Sequence, residues 1–318
     1  MKKDYCKRKD KKMRYDLIVI GGGPAGISSS IYAASRGVKV LVLEKEQVGG
    51  IIGKVSTVTH YSALMEKETG STFAKRLETQ ALNAGVHIQY ETVMQVCLYG
   101  TEKKVVTDQN TYESAAVILA NGSSPKNLNI PGEKQLLGKG MGLKALKDGN
   151  LYEGRNIYVV GGGDGALKEA LYLAGFARKL TVIHFENKLG AIYEFTKKLE
   201  LLENAEVKLE KNLTAVFGKD RVEALELTDV VTGEKERIED PGCGIFTYIG
   251  TTPNTELYKE LDLVDHYIPA NEKMETKIAG VYAAGDIREK QIRQVATAVS
   301  DGAIAGINSA AYILSHGN

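Results

Sequence analysis

Cysteine is scarce in this chain, and its spacing leaves little room for disulfide or metal chemistry. The three cysteines are Cys6, Cys97 and Cys243, and no two lie close enough to form a CxxC pair. Their number is odd and no secretory signal precedes the first predicted strand, so a reducing cytoplasm is the expected compartment. The sequence also lacks HExxH and EF-hand spacings, so we predict no metal site.

Long hydrophobic runs are absent as well. No apolar stretch approaches the roughly 20 residues that a membrane-spanning helix needs, so no membrane association is expected. Apolar residues make up 43% of the chain and charged residues 25%, which is ordinary for a globular protein. The length of 318 residues favours two domains, because single hydrophobic cores stop growing near about 250–300 residues.

Positive charge is concentrated at the start of the chain. Residues 1–14 hold eight basic and two acidic side chains, or +6, and the whole chain carries +1, so the remainder carries −5. A nucleic-acid-binding protein would spread positive charge over its folded surface, so nucleic acid is not an expected partner. One interpretation of 1–14 is a solvated arm. The other is a docking arm for a small acidic electron-carrier protein.

Two β-turn-α-β units recur along the chain, each with a buried strand, a glycine-rich turn, a helix and a second buried strand. In the first unit these elements are predicted at 15–20, 21–26, 27–36 and 38–43. In the second they are predicted at 156–160, 161–166, 167–176 and 180–184. The turns start 140 positions apart, at Gly21 and Gly161, which indicates duplication of a whole domain rather than a short repeat.

The rest of the pattern favours an α/β fold with two Rossmann-like dinucleotide-binding domains of the three-layer ββα type, the second inserted into the first. Further strands are predicted near 86–90, 92–98, 104–108, 115–120, 207–209, 213–217, 222–228 and 280–284. Further helices are predicted at 71–84, with a Ser or Thr cap, and at 293–314. Turn-forming residues mark hinges, and we expect a tail at 1–14, a first domain at 15–122 and 250–318, and an inserted domain at 123–249.

The first turn carries the pattern Gly21-x-Gly23-x-x-Gly26, which is typical of dinucleotide-binding sites. The first glycine permits the tight turn, the second lets the backbone approach a pyrophosphate, and the third lets the helix pack on the strand. The N-terminus of the following helix favours the pyrophosphate charge. Glu44 lies 23 residues after Gly21, at the end of the second strand, and is placed to bind a ribose diol.

A second acidic residue follows a buried strand near the C-terminus, in the sequence Ala284-Gly285-Asp286. An acid in that place would hold the ribityl hydroxyls of a flavin. Without the first motif, the same residues would be interpreted as an ordinary turn.

These motifs and several further segments resemble the low-molecular-weight thioredoxin reductase family of FAD enzymes. The segments are GGGPAG (21–26), Gly49-Gly50, IPG (130–132), GGGDGALKEALYLAGFA (161–177), IGTTPNTEL (249–257), AAGD (283–286) and RQVATAVSDGAIAG (293–306). The resemblance runs from about residue 15 to the C-terminus. It implies FAD in the first domain, a mobile middle domain and a homodimer.

The resemblance also implies that Arg293, Gln294 and Val295 open a helix beneath the flavin pyrimidine, whose positive end would stabilise the anionic reduced flavin. The residues expected to bind FAD are Gly21, Gly23, Pro24, Ala25, Gly26, Glu44, Lys45, Gly49, Gly50, His60, Tyr61, Asn121, Gly122, Gly285, Asp286, Arg293, Gln294 and Val295.

The chain departs from the family where the redox CxxC belongs. Lys144 and Lys147 stand at the two cysteine positions, after the Gly-Lys-Gly at 138–140. Lysine cannot exchange thiols, so disulfide transfer by the family's route is lost. We interpret both lysines as solvated side chains.

A second departure concerns the family's HRRxxxR run, whose arginines bind the 2′-phosphate of NADPH. The run here begins His184-Phe185-Glu186 and has none of the three arginines. Glu186 would repel a phosphate and accept hydrogen bonds from a ribose diol, which favours NADH. The alternatives are that this second site binds another FAD or that it no longer binds a ligand. The second dinucleotide site is expected at Gly161, Gly163, Asp164, Gly165, Ala166, His184, Phe185 and Glu186.

The third departure is His60, which stands where the family has an asparagine against the flavin ring. A histidine there would relay protons or hydrogen-bond the ring; the alternative is a packed or exposed loop histidine. Tyr61 is expected to stack on the ring, as an aromatic residue does in the family.

We therefore expect an FAD-dependent oxidoreductase that passes electrons from NADH or a small carrier protein to an acceptor without an internal disulfide. One alternative is a ferredoxin-linked flavoprotein that does not use pyridine nucleotides and whose partner reaction depends on salt. Another alternative is a non-catalytic flavin-binding sensor or scaffold. His60 is the candidate catalytic residue.

Overall fold

The structure is a computed structural model that describes residues 13–316 of the chain. The segment 1–12, which holds most of the basic tail, lies outside the described residues. Contacts between Cα atoms divide the chain into two units. Unit 1 contains residues 13–54, 58–124 and 252–316, and unit 2 contains residues 55–57 and 125–251.

Strands and helices alternate over residues 17–90 and 156–208, and a run of successive strands follows each of these stretches. The strands are β1 (Met13–Arg14), β2 (Leu17–Ile20), β3 (Val40–Glu44), β4 (His87–Tyr90), β5 (Val93–Cys97), β6 (Lys103–Thr107), β7 (Thr111–Ser114), β8 (Ala116–Leu119), β9 (Ser123–Pro125), β10 (Asn156–Val160), β11 (Lys179–Ile183), β12 (Ala205–Lys208), β13 (Lys211–Phe217), β14 (Ala224–Asp229), β15 (Lys235–Glu239), β16 (Gly244–Thr247), β17 (Thr251–Pro253) and β18 (Val281–Ala283). The α-helices are α1 (Pro24–Ala34), α2 (Gly70–Asn83), α3 (Glu133–Leu136), α4 (Ala145–Asp148), α5 (Asp164–Leu173), α6 (Tyr193–Glu200) and α7 (Val295–His316).

Unit 1 is built on a parallel sheet with the strand order β18-β8-β2-β3-β4. Both faces of this sheet are covered: Leu17 and Val19 of β2 pack in the core beneath α1 and α7, and Ile18 and Ile20 pack in the core beneath the second sheet, β1-β7-β6-β5. Successive side chains of a strand point to opposite faces, so a strand buried on both sides is apolar throughout. This explains the unbroken apolar run of β2.

Unit 2 repeats this arrangement with a parallel sheet in the order β12-β11-β10-β16 and an antiparallel sheet in the order β13-β14-β15. Ile157 and Val159 of β10 pack with helices α5 and α6, whereas Tyr158 and Val160 pack with the antiparallel sheet. The predicted α/β class is therefore confirmed. Strands β9 and β17 pair with each other in a two-stranded sheet.

Two helices begin at residues that favour a helix N-terminus. Pro24 starts α1 and has no N–H to leave unpaired at the first helical position. The Thr69 side chain accepts a hydrogen bond from the Thr72 backbone N–H at 3.2 Å, and Thr72 Oγ1 accepts one from the Thr69 N–H at 3.1 Å. This capping box starts α2 and agrees with the predicted threonine or serine cap.

The last helix needs a correction. It begins at Val295, two residues after the predicted start, so Arg293 and Gln294 precede it rather than open it. The Gln294 carbonyl accepts the first helical hydrogen bond, from the Ala298 N–H at 3.0 Å. Within residues 13–316, no helix combines the length and the apolar character that crossing a membrane would require.

Candidate functional site

The glycine-rich turn of unit 1 joins β2 to α1. Gly21 has a φ of 107°, and its N–H donates to the Leu43 carbonyl at 2.8 Å. A Cβ on Gly21 would overlap the Ala120 carbonyl oxygen, and a Cβ on Gly26 would overlap the Gly21 carbonyl oxygen. The packing of the protein itself therefore requires glycine at both positions.

Gly23 differs from these two glycines because the space beside it is open. Its backbone is extended, with a φ of −72° and a ψ of 179°, and a Cβ there would meet no atom within 4 Å. Gly23 is the N-cap of α1, and no side chain caps this helix, whose first turn contains Pro24, Ala25 and Gly26. Unpaired N–H groups and the helix dipole favour an anion in this space.

Glu44 borders the turn at the end of β3. Its Oε2 accepts a hydrogen bond from the Gly22 N–H at 2.8 Å, and its Oε1 accepts one from the Glu46 N–H at 3.0 Å. These two bonds fix the carboxylate beside the glycine-rich turn. Lys45, the next residue, is exposed.

The Gly49-Gly50 loop returns to the same turn. The Gly49 N–H donates to the Gly22 carbonyl at 2.9 Å. A Cβ on Gly50 would lie 3.5 Å from the Gly23 Cα. The loop therefore lies next to Gly23.

Asn121 and Gly122 follow the neighbouring strand β8. The Tyr258 hydroxyl donates to Asn121 Oδ1 at 2.8 Å, and Asn254 Nδ2 donates to the Asn121 carbonyl at 2.8 Å. The Asn121 side-chain oxygen is thus already used within the protein. Gly122 has a φ of 63°, and a Cβ there would meet no atom within 4 Å.

Gly285 and Asp286 follow β18 and lie close to the start of α1. Gly285 has a φ of 82°, and a Cβ there would lie 2.8 Å from the Ala25 Cβ. Asp286 Oδ1 is buried and has no hydrogen-bond partner. Burial raises the pKa of Asp286, and the positive charges of Lys290 and Arg293 oppose that rise. A hydroxyl donor from a ligand would satisfy such an oxygen.

Arg293 lies just before α7. Its guanidinium stands over the Tyr267 ring, 3.9 Å from the ring centroid, and its buried Nε has no hydrogen-bond partner. Gln294 and Val295 follow it, with Val295 as the first residue of α7. The positive end of α7 and the Arg293 charge therefore lie next to each other in unit 1.

The flavin-ring residues predicted from the family resemblance lie on a loop between β3 and α2. His60 is exposed and has a φ of 56°, in the left-handed region. Tyr61 is half-buried and packs edge-on against Phe73, with the ring centroids 5.7 Å apart. The roles assigned to His60 and Tyr61 stay predictions.

The glycine-rich turn of unit 2 repeats the geometry of the first. Gly161 has a φ of 130°, and its N–H donates to the Ile183 carbonyl at 2.9 Å. A Cβ on Gly163 or Gly165 would meet no atom within 4 Å, and no side chain caps α5. Asp164 opens this helix, and its Oδ1 accepts a hydrogen bond from the Ile192 N–H at 2.8 Å.

The two turns identify which residue of unit 2 corresponds to Glu44. The N–H of the first glycine bonds to Leu43 in unit 1 and to Ile183 in unit 2, so the next residues, Glu44 and His184, are equivalent. The His184 ring lies against the turn, where a Cβ on Gly162 would come within 2.5 Å of it. Glu186, which the sequence predicts to bind the ribose, lies two residues beyond the equivalent position.

Glu186 contacts His184 instead of the turn. Glu186 Oε2 and His184 Nε2 are 3.1 Å apart, and Glu186 is half exposed. The His184 Nδ1 is buried and has no hydrogen-bond partner. Phe185 is exposed and packs edge-on against the His184 ring. Ala166, the last residue of the turn, is buried.

Residues 15–302 match the family model for pyridine nucleotide-disulphide oxidoreductases. The chain belongs to this family. It is 36% identical to the thioredoxin reductase of Peptoclostridium acidaminophilum, over 94% of this chain and 97% of that protein. It is 37% identical to the 34.2 kDa protein in the rubredoxin operon of Clostridium pasteurianum, over 94% of this chain and 97% of that protein.

The solved structures agree with this assignment. The crystal structure of Lactococcus lactis thioredoxin reductase in its FR conformation superposes with a TM-score of 0.90 and 30% identity, and covers 95% of this chain and 99% of that chain. The resemblance to thioredoxin reductases and the two Rossmann-like dinucleotide-binding domains are therefore confirmed. The thioredoxin reductase family is flavin-dependent and uses NAD(P)H.

The family resemblance assigns the two redox-cysteine positions to Lys144 and Lys147. Lys144 is the N-cap of the short helix α4, and its backbone N–H donates to Asp148 Oδ2 at 2.8 Å. Both Lys144 and Lys147 are exposed. Elsewhere in unit 2, Cys243 is a buried thiol, and burial raises its pKa to about 12. A thiol with that pKa stays protonated near neutral pH and is a poor nucleophile.

Among residues 13–316, no group of three or more His, Cys, Asp or Glu side chains is arranged to hold a metal ion.

Proposed function

We propose that this oxidoreductase is FAD-dependent and works without an internal redox disulfide. The observation that carries the proposal is the open space beside Gly23 at the uncapped start of α1. A pyrophosphate is the ligand that this space and the helix N-terminus favour. The family's dependence on flavin makes FAD the dinucleotide to test first.

The residues around this space fit FAD. Glu44 lies at the strand end where an acid binds the hydroxyls of a ribose. Asp286 supplies a second carboxylate, and its buried, unpaired oxygen suits the hydroxyls of a ribityl chain. We assign the ribose to Glu44 and the ribityl chain to Asp286. The other residues of the expected FAD set belong to the same proposal.

When bound, FAD would supply hydride or single-electron transfer, and the protein would supply binding, orientation and electrostatics. Arg293 and the start of α7 place positive charge on one side of the site, where it would stabilise negative charge on a ligand. His60 is proposed to hydrogen-bond the ring or to relay protons. Tyr61 is proposed to pack on the ring.

For unit 2 we propose NADH as the ligand. The open positions at Gly163 and Gly165 and the uncapped start of α5 suit a second pyrophosphate. Glu186 places negative charge next to the end of β11, and no arginine occurs in the run 184–190 to pair with a 2′-phosphate. The comparisons lend no support to a second FAD in this unit.

A second candidate function is electron exchange with a small carrier protein instead of a pyridine nucleotide. The Clostridium pasteurianum relative is named for its place in a rubredoxin operon. The basic segment 1–14 would attract an acidic carrier, and salt would weaken that attraction. Anaerobic mixing with reduced rubredoxin or ferredoxin, at low and at high salt, tests this function. Equal rates of flavin reduction at low and at high salt would contradict a docking role for the segment 1–14.

The proposal is tested by flavin binding and stoichiometry. Purified protein is incubated with excess FAD, separated by gel filtration, and its flavin absorbance is compared with its protein concentration. We expect FAD equimolar with the chain and elution as a homodimer. Protein that retains no flavin would overturn the proposal. Because the cysteine positions hold lysines, the loaded protein is also expected not to reduce a thioredoxin disulfide.

A further inference from the structure

A buried cluster of charged residues lies behind Asp286. The side chains of Lys290 and Asp301 are 7% and 8% exposed, and Arg288 is 17% exposed. Charged side chains are seldom buried this fully unless they are paired. None of them is among the residues expected to bind FAD, so their burial calls for a separate explanation.

Asp301 holds this cluster together through a single oxygen. Its Oδ2 accepts hydrogen bonds from the Gly285 N–H at 3.1 Å, from Arg288 Nε at 3.0 Å and from Lys290 Nζ at 2.9 Å. These bonds connect the second turn of α7 to the turn that carries Asp286. Hydrogen bonds to an ionised acceptor are among the stronger ones in proteins.

Lys290 connects the cluster to Asp286. Lys290 Nζ lies 3.8 Å from Asp286 Oδ1, which is within ion-pair range but too far for a hydrogen bond. The Asp286 side chain is 34% exposed, although its Oδ1 is buried. Asp286 therefore keeps an oxygen without a hydrogen bond while a clamped positive charge faces it.

The charges near Asp286 come from its own connection and from α7. Lys290 and Arg293 are the cations, and Asp301 is the anion, whose charge is shared with Arg288 and Lys290. The first turn of α1, which packs beside Gly285, contains no acidic residue. Of these cations, Lys290 is the one that lies within ion-pair distance of Asp286. Its hydrogen bond to Asp301 holds it there.

We propose that Lys290 is a positioning residue that keeps Asp286 in its charged, hydrogen-bond-accepting form, and that Asp301 fixes Lys290 in this place. The proposal rests on the proposed function, because it assumes that Asp286 accepts hydrogen bonds from ligand hydroxyls. A carboxylate accepts through both oxygens, whereas a protonated carboxyl has lost part of that capacity. Removal of the Lys290 charge should therefore convert FAD binding into a pH-dependent equilibrium.

The direction of the effect follows from linkage. Burial already raises the pKa of Asp286, and the Lys290 charge opposes that rise. Without Lys290 the pKa of Asp286 rises further, and FAD then competes with a proton. FAD affinity is full above that pKa and falls as the pH drops through it. The pH at which affinity weakens should therefore move upward.

The test measures the FAD dissociation constant by flavin fluorescence quenching between about pH 6 and pH 8, where acid denaturation does not yet intervene. The proteins are the wild type, Lys290→Met, Lys290→Gln and Lys290→Arg. Lys290→Gln keeps a polar donor for Asp301 in case the methionine variant folds poorly. Lys277→Met is the matched control, because Lys277 pairs with the exposed Asp262 in the same unit.

We expect the methionine and glutamine variants to bind FAD about tenfold or more weakly at the low end of this range than at the high end. Lys290→Arg and Lys277→Met should follow the wild type. A loss of affinity that is equal at every pH would assign the cluster a purely structural role and overturn the inference. A wild-type protein that binds no FAD at any pH would overturn the proposed function itself.

Discussion

Gly23 and Gly26 provide a pair of substitutions that separates ligand binding from folding. Both glycines lie in the same turn, three residues apart, and both become alanine in the test. A Cβ on Gly26 overlaps the Gly21 carbonyl oxygen, whereas a Cβ on Gly23 meets no protein atom within 4 Å. The added methyl group therefore obstructs the protein itself in Gly26→Ala and the proposed ligand in Gly23→Ala.

The expected magnitudes follow from this geometry. Overpacking at Gly26 costs about 1–3 kcal/mol, and the better helix propensity of alanine returns up to about 1 kcal/mol. Because the overlapped atom is a backbone oxygen, the upper part of this cost applies, and the free energy of unfolding of Gly26→Ala should fall by roughly 2 kcal/mol or more. The backbone of Gly23 already suits alanine. The unfolding free energy of Gly23→Ala should stay within about 1 kcal/mol of the wild type, because the loss of a glycine N-cap and the lower entropy of the unfolded chain oppose each other.

FAD binding should respond in the opposite order. The methyl group of Gly23→Ala occupies the space assigned to the pyrophosphate, so the dissociation constant should rise by at least about tenfold, or 1.4 kcal/mol. Urea denaturation of the apoprotein measures the first quantity, and fluorescence titration with FAD measures the second. Gly23→Ala protein that binds FAD like the wild type would refute the assignment of this space to a pyrophosphate.

Three further predictions concern other parts of the chain. Glu186→Arg should raise the NADPH-to-NADH ratio of kcat/KM by about tenfold or more, because arginine pairs with a 2′-phosphate. Glu186→Gln should raise this ratio less. An unchanged ratio in the arginine variant would contradict the proposal that Glu186 selects NADH. Cys243, with a pKa raised to about 12, should resist iodoacetamide at neutral pH until denaturant is added; peptide mapping that finds equal labelling of native and unfolded protein would contradict its burial. Thr69→Ala should lower the unfolding free energy by about 1 kcal/mol through loss of the capping box, whereas Thr79→Ala, which removes only a bond to the Lys75 carbonyl within α2, should change it little.

The strands buried on both faces were the easiest elements to predict. Strand β10 (Asn156–Val160) has the predicted bounds, and β2 differs only at its start, where residues 15 and 16 precede the ladder. Unbroken apolar runs of this kind identify parallel strands because both faces are covered. By contrast, β15 (Lys235–Glu239) was not predicted, because its residues are mostly exposed and charged.

The starts of the helices after the glycine-rich turns were predicted too late. α1 and α5 begin at Pro24 and Asp164, three residues before the predicted starts. Glycine-rich segments carry weak helix propensity, so sequence reasoning assigned these residues to the turn. Packing of the helix against the sheet outweighs that propensity, and the first helical turn forms around the glycines.

The contact between His184 and Glu186 could not be predicted from the sequence, because it depends on where strand β11 ends against the glycine-rich turn. The presence of an acid two residues beyond the strand suggested that Glu186 would occupy the place of Glu44. The register shows instead that His184 takes that place, and that Glu186 contacts the outer nitrogen of its ring. Sequence alone likewise gave no sign of the Asp301 cluster, because its members become neighbours only when α7 packs beside the turn that carries Asp286.

Anaerobic titration of the FAD-loaded protein tests the central claim most directly. Flavin absorbance is followed while NADH, and separately NADPH, is added to protein that contains equimolar FAD. We predict that NADH bleaches the flavin rapidly and that NADPH does so far more slowly, because the run 184–190 has no arginine to bind a 2′-phosphate and Glu186 adds a negative charge there. Equal bleaching by both nucleotides would contradict the proposed selectivity for NADH. Bleaching by neither would contradict the use of a pyridine nucleotide, and would leave the carrier protein as the electron source.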